Sequence, residues 1–526
     1  MDVDASQYAS IAMEMLQGGH WLQVQYHHAD YLDKPPLLFW LSALSYALFG
    51  LQVWAYKLPS VLGSAAGIYA TWRFCLLHYS RATARNAAFI LASSVGAVLM
   101  SNDVRTDALL FGMTACAVWQ CAEFLGAGRM RNLMLAALFV ALAMLAKGPI
   151  GLVMPAFAVG THLLLRRDWR AIWRWHRLLA LAVVVLVLAP MCWGLYQQFD
   201  RHPEKIVNGG TAVSGLAFFF WEQSFGRITG SSVWKNETSV FTFVHVYLWV
   251  FLPWPLLFGA ALWRRIVELF RNRFRIGNGD EGYSLGGFLL TFIALSLSRY
   301  KLPHYIFITL PWAAILTARG LATMQGRVRW AGQYAVFGVL GAVVVWLLRG
   351  VFPPGDSAVW LVVIVLFGSL AVHCIRQPFP PEPDVLVMRN VLASLATLFV
   401  LNFHFYPNLL RYQATIIAPR IARDAGVPVT RMAFFTSIAP ALDFYSGAML
   451  TMLSSPAEVR DHAGLGDFWL YTDVRGRGRL DSAGVVYSEA AAMQHFDVGK
   501  LTGTFMNAGT RARAMVPVYW LRISAP

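Results

Sequence analysis

Charge is what this sequence has least of. Only 13% of its 526 residues are Asp, Glu, Lys or Arg, where soluble domains carry about 25%. Cysteine is sparse as well. The five cysteines (Cys75, Cys116, Cys121, Cys192 and Cys374) all lie inside or at the ends of apolar runs. That placement argues against a disulfide framework and against a thiolate metal site, and it suits core packing. No H-x-x-x-H pair, solenoid-type repeat or low-complexity segment is present, and no secretory signal peptide is visible.

What fills the space is apolar. Hydrophobic residues make up 57% of the chain, with 35 Phe, 20 Trp and 19 Tyr. The reading is a polytopic membrane protein with interfacial aromatic belts. A net charge of +15 invites a nucleic-acid reading. The arginines, however, sit in short loops between apolar runs, so no basic face remains for nucleic acid once those loops are set aside.

A spanning helix needs about 20 apolar residues. Twelve candidates run near 57–76, 86–102, 107–125, 132–146, 149–165, 178–197, 243–263, 284–298, 303–318, 331–350, 358–375 and 388–405. A further apolar run, 36–51, is shorter. Charge decides its role. If it does not cross, the loops 73–85, 126–131, 166–177, 264–283, 319–330 and 376–389 share one side and hold 20 of the 43 basic residues. The opposite loops hold only 11. The Arg-rich side is predicted to be cytoplasmic, and 36–51 interfacial or re-entrant. The predicted fold is mainly α. It has an N-terminal outer-face loop with interfacial helices (1–56), a transmembrane helical bundle of about twelve spans (57–405) and a soluble outer-face α/β domain (406–526). Short β-like stretches in that tail fall at Met432–Thr436, Phe468–Thr472 and Val516–Leu521.

The polar residues that remain gather on the predicted outer side. Asp4 opens what reads as a short amphipathic helix, with Tyr8, Ile11 and Met15 available to lipid; it suits either an N-cap or a general base. Lys34, in Tyr31-Leu32-Asp33-Lys34-Pro35-Pro36, stands where an aqueous loop meets an apolar helix. It could snorkel or bind a lipid phosphate. Asp103 and Asp107 flank Arg105 at a helix end, where an intramembrane acid is a functional candidate and pairing with Arg105 the bland alternative. Lys147-Gly148-Pro149 reads as a tight turn, Glu222 and Arg227 as an exposed ion pair, and Arg299, Lys301, His304 and Tyr305 as a basic and aromatic edge. His27, His28, His245 and His304, with Asp33 or Glu222, leave a divalent metal weakly supported.

Taken together these motifs resemble the 4-amino-4-deoxy-L-arabinose transferase and protein O-mannosyltransferase superfamily, integral-membrane glycosyltransferases of the GT-C fold. Asp4 with Gln7-Tyr8-Ala9 is similar to the family's D-E-A-R-Y-A-E-I, and Tyr31-x-Asp33-Lys34-Pro35-Pro36 to its Y-x-E-K-P-P-L. Thr106-Asp107, Lys147-Gly148-Pro149, Phe251-Leu252-Pro253-Trp254 and Lys301-Leu302-Pro303-x-Tyr305 add to the likeness. Ala5 replaces the second acid of the pair, Asp33 a Glu, and Gln223 a frequent His. Family members begin with a membrane helix ahead of the acidic loop, which predicts that Met1 is an internal start or a truncated end.

The resemblance implies sugar transfer from a polyprenyl-phosphate donor to an envelope lipid, glycan or protein, on the periplasmic face of a bacterial inner membrane. It implies Asp4 and Asp107 as catalytic acids. Lys34, with Arg227 and Lys301, would hold the donor phosphate, and Tyr31, Asp33 and Tyr305 would bind substrate. The rival readings are a transporter or lipid flippase, with acids and helix breaks near the midplane, and a non-catalytic scaffold.

Overall fold

The structure is a computed structural model. It describes residues 3–168, 176–207, 209–226, 236, 238–277, 279–324, 328–355, 357–376, 382–435 and 439–525.

Helices occupy all twelve predicted spans. Seven are long and apolar enough to cross a membrane singly, among them Thr106–Ala127, Met130–Lys147 and Pro303–Thr323. The predicted span 86–102 is a pair, Arg81–Ala92 and Val95–Asn102, bent by 52°. The predicted span 243–263 is likewise not continuous. It divides into Thr242–Val250 and Pro255–Arg271, because Pro253 and Pro255 cannot donate the backbone hydrogen bonds that would carry the helix through. Ile150–Arg166 and Tyr283–Leu297 are shorter apolar helices. Val53–His78 has the length to cross, but Lys57 and Arg73 dilute its apolar character.

The run 36–51 forms Leu37–Phe49, 13 residues. At 1.5 Å per residue that is about 20 Å, short of the ~30 Å hydrocarbon core. The first helix, Val3–Gly18, corrects the amphipathic reading. Tyr8, Ile11 and Met15 face protein, with 4%, 0% and 3% exposure. The helix is clamped between Leu37–Phe49 and a helix of the C-terminal domain, Pro440–Ser446. Periodicity could not reveal this, because an apolar stripe looks the same whether lipid or protein covers it.

The loops also sort into two sets by contact. At one end Tyr79 donates to Glu281 at 2.6 Å, Arg265 pairs with Asp280 at 2.9 Å, Arg319 with Glu268 at 3.0 Å, and Arg85 and Asn86 with Asp384. These are the Arg-rich loops grouped by charge count. The candidate site residues lie at the other end.

The last membrane helix runs from Pro383 to Leu410, past the predicted boundary at 405. Beyond it stands a five-stranded sheet in the order Thr451–Leu453, Met432–Phe435, Phe468–Asp473, Val516–Ile523, Ser488–His495. The first three strands are parallel, Val516–Ile523 runs antiparallel to them, and Ser488–His495 runs antiparallel to Val516–Ile523. Phe434, Tyr471 and Trp520 pack on one face against Ala414–Asp424, and Phe435, Leu470 and Leu521 on the other against Val459 and Leu480. With both faces covered, Met432–Phe435 is buried throughout and reads as an unbroken apolar run. Thr451–Leu453 and Ser488–His495 lacked such a run, and the sequence reading missed them.

Candidate active site

The site begins at the N-terminus of the helix Thr106–Ala127. Arg105 precedes it in an extended conformation. Its Nε donates to Asp103 at 2.8 Å and its Nη1 to Asp4 at 2.5 Å. Arg105 thus pairs with Asp4 and Asp103, not with Asp107. Asp4 stays 46% exposed at the side chain, so one face of its carboxylate is open to a reactant.

Asp107 is two residues further on and buried. Lys147, at the end of Met130–Lys147, donates to its Oδ1 at 2.5 Å, and His304 Nε2 stands 3.9 Å from its Oδ2. The Lys147 ammonium also lies 4.2 Å from the centroid of the Tyr305 ring, within cation–π reach. Lys147 is therefore the counter-ion of a buried acid and more than a turn residue. Lys301 is buried, and its ammonium donates to the Thr238 carbonyl at 3.3 Å while Asn236 ties its backbone. Desolvation pulls its pKa below the ordinary lysine value.

The second half of the site is the loop before Pro35. Lys34 donates to Asp33 at 2.8 Å, Tyr31 reaches the same carboxylate at 3.5 Å, and Gln223 donates to the Asp33 carbonyl. Lys34, Asp33 and Tyr31 stand with Met191, Leu195, Phe218 and Phe219 around a narrow slot of about 20 Å³. A lysine, held by Asp33, in the wall of an apolar slot suits an amphiphile with an anionic head.

Tyr8 stands near both halves. Burial is the main cause that pushes its pKa up; the neighbouring Asp33 and Asp4 carboxylates add to it and Arg105 opposes it. Its ring packs edge-on against Phe39 at 5.8 Å, and Tyr31 meets the same Phe39 at 6.0 Å. Asp4, Asp33, Lys34, Asp107, Lys301 and Tyr305 are thus brought to one end of the bundle. Arg227 lies outside the described residues, and Glu222 is exposed. Sequence reasoning missed Arg105 as the partner of Asp4. The available signal for Arg105 was a guanidinium between two acids at a helix start.

Among the described residues no three His, Cys, Asp or Glu side chains gather to hold a metal. His27 and His28 turn instead toward Asp443 and Glu14.

The family model described as dolichyl-phosphate-mannose-protein mannosyltransferase matches residues 33–193. An undecaprenyl phosphate-alpha-4-amino-4-deoxy-L-arabinose arabinosyl transferase from Shewanella sediminis is 26% identical over 433 residues, 77% of this chain and 72% of that one. Its counterpart from Pseudomonas savastanoi pv. phaseolicola is 25% identical over 387 residues, 71% of this chain and 68% of that one. The crystal structure of ArnT from Cupriavidus metallidurans bound to undecaprenyl phosphate superposes with a TM-score of 0.75 at 18% identity, covering 98% of this chain and 93% of that one. In the apo state the same protein gives 0.73. The chain has the GT-C fold of these structures and is similar in sequence to the 4-amino-4-deoxy-L-arabinose transferases.

Proposed function

We propose that this protein transfers a sugar from a polyprenyl-phosphate donor to an envelope acceptor, a lipid, glycan or protein hydroxyl or amine, on the periplasmic face of a bacterial inner membrane. The observation that carries this reading is Lys34, paired with Asp33, lining an apolar slot, with the half-exposed Asp4 at the same end of the bundle. The named donor of the arabinosyl transferases and the lipid bound in the Cupriavidus structure support it.

Each group then has a physical task. The isoprenoid chain lies along Met191, Leu195, Phe218 and Phe219. Lys34 neutralises the phosphate as the bond from the anomeric carbon to its oxygen breaks. Stabilising the departing charge is the largest contribution to rate, a few kcal/mol for one well-placed donor. The acceptor attacks the opposite face of the sugar, its proton passes to Asp4, and the anomeric centre inverts. Arg105 holds Asp4 in place, and Lys147 with Asp107 fixes the helix start beneath. The slot's ~20 Å³ holds little more than one water, so the slot must widen to seat the donor.

A transporter would put its acids near the midplane, whereas the acids here stand at helix ends. Purified protein incubated with a radiolabelled polyprenyl-phosphate sugar and extracted envelope lipids or proteins tests the reading. Label is expected to move to an acceptor. Movement of intact donor across a vesicle bilayer with no transfer would replace this reading with a flippase.

A further inference from the structure

The chemistry above gives the C-terminal domain no task, yet a polar contact ties that domain to the donor loop. Gln25–Tyr26 and Ala29–Asp30 form a hairpin of two-residue strands closed by His27 and His28. Both turn residues adopt positive φ, 53° and 59°. A hairpin turn of this hand ordinarily takes Asn-Gly, and residues with larger side chains are strained there. So short a ribbon does not hold itself together.

Two carboxylates supply what the ribbon lacks. Glu14, 5% exposed on the first helix, accepts the backbone N–H groups of His27 at 2.8 Å and His28 at 2.7 Å. Asp443, 0% exposed on Pro440–Ser446, meets the His27 ring at 2.9 Å and accepts from Leu450 N–H at 3.0 Å. The His27 ring also packs edge-on against Tyr26 at 4.6 Å and against Phe434 of the C-terminal sheet at 5.4 Å. Ser10 donates to the Pro440 carbonyl at 2.9 Å. On the other side Asp30 accepts from Gln198 at 2.8 Å and Lys205 at 2.6 Å, and Tyr31 N–H bonds back to Val24 at 3.0 Å. Lys34 follows within four residues. The hairpin is therefore gripped by the first helix, by the C-terminal domain and by the loop after His176–Leu195.

We propose that the C-terminal domain positions the donor site: Asp443 through His27, together with Glu14, fixes the hairpin that sets where Tyr31, Asp33 and Lys34 stand. Glu14, His27 and Asp443 are positioning residues. This rests on the reading of Lys34 as the donor-phosphate ligand. The geometric coupling itself is independent of the substrate.

Two full-length variants in detergent test it. His27→Gly keeps the positive φ without strain and removes the ring that reaches Asp443. Glu14→Gln sets an amide NH2 against one of the two backbone N–H groups. Hydrogen exchange of the amides of residues 24–34 should quicken at least about tenfold in both, an opening made easier by roughly 1.4 kcal/mol. Exchange in the strands Phe468–Asp473 and Val516–Ile523 should not change, which shows the domain still folded. Transfer should fall about 10–100-fold in kcat/KM for the donor, the scale of an ångström misplacement, with KM for the acceptor unchanged. Unaltered exchange at 24–34 in both variants overturns the proposal whatever the activity. Quickened exchange in protein that shows no transfer before mutation keeps the coupling and rejects the donor reading. An equal loss toward donor and acceptor assigns these residues to general stability and also overturns it.

Discussion

At the scale of single residues, the account turns on charges that apolar surroundings force into pairs. Lys147 and Asp107 are 12% and 4% exposed at the side chain, and removing one partner of such a pair leaves the other charge uncompensated, at a cost of about 3–5 kcal/mol. Lys147→Met should therefore lower the thermal midpoint in detergent strongly. The double variant Lys147→Met with Asp107→Asn should recover much of the loss, because neither charge then remains. A double variant as unstable as the single one would show that the pair does not carry this energy. The sequence exposed these residues for the same physical reason: a charge is conspicuous where only 13% of residues are charged. Which charge meets which was not legible. Arg105 stands beside Asp103 and near Asp107 in sequence, but its second partner is Asp4, and only the fold brings that helix end across.

At the scale of elements, the placement of Asp107 depends on how closely Thr106–Ala127 approaches Val53–His78. The two helices meet at glycines. A Cβ at Gly112 would lie 2.1 Å from the Gly63 carbonyl oxygen, and one at Gly67 would meet the Phe111 ring at 2.4 Å. Small residues at such crossings let membrane helices pack by direct contact. Gly112→Leu should push the helices apart, reduce stability and displace Asp107 from Lys147. Gly126→Ala, at a position with open space around it, should be neutral or stabilising by up to about 1 kcal/mol. Equal effects of the two changes in a thermal-unfolding assay would remove the crossing from the account. Helix positions were legible along the chain because the hydrophobic signal is long. The break at Phe251–Trp254 and the burial of the first helix were not, since hydrophobicity alone does not report a local hydrogen-bond gap or tell lipid from protein.

At the scale of the whole molecule, the claim is sidedness. Arginine counts in short loops and the contacts between loops give the same partition into two ends, although the one is a bias in composition and the other a pattern of hydrogen bonds. Its orientation is open to a labelling test. Glu204→Cys, 68% exposed at the side chain, should react in intact cells with a maleimide that penetrates the outer membrane but not the inner one. Arg273→Cys, exposed in an Arg-rich loop, should react only after the inner membrane is opened. The reverse pattern would turn the protein over and put the site in the cytoplasm. The C-terminal domain shows where sequence reading stops at this scale. Its central strands announced themselves as apolar runs, but the grip of Asp443 on His27 joins residues more than 400 positions apart, and neither residue carries a local sign of the other.

The most direct measurement is transfer itself, made on wild-type protein and on Asp4→Asn and Lys34→Ala with one polyprenyl-phosphate-linked sugar as donor. The account predicts wild-type transfer with inversion at the anomeric carbon. It predicts loss of turnover with normal expression and folding in Asp4→Asn, and weakened donor binding in Lys34→Ala. Wild-type turnover by Asp4→Asn, together with unchanged donor affinity in Lys34→Ala, would contradict it.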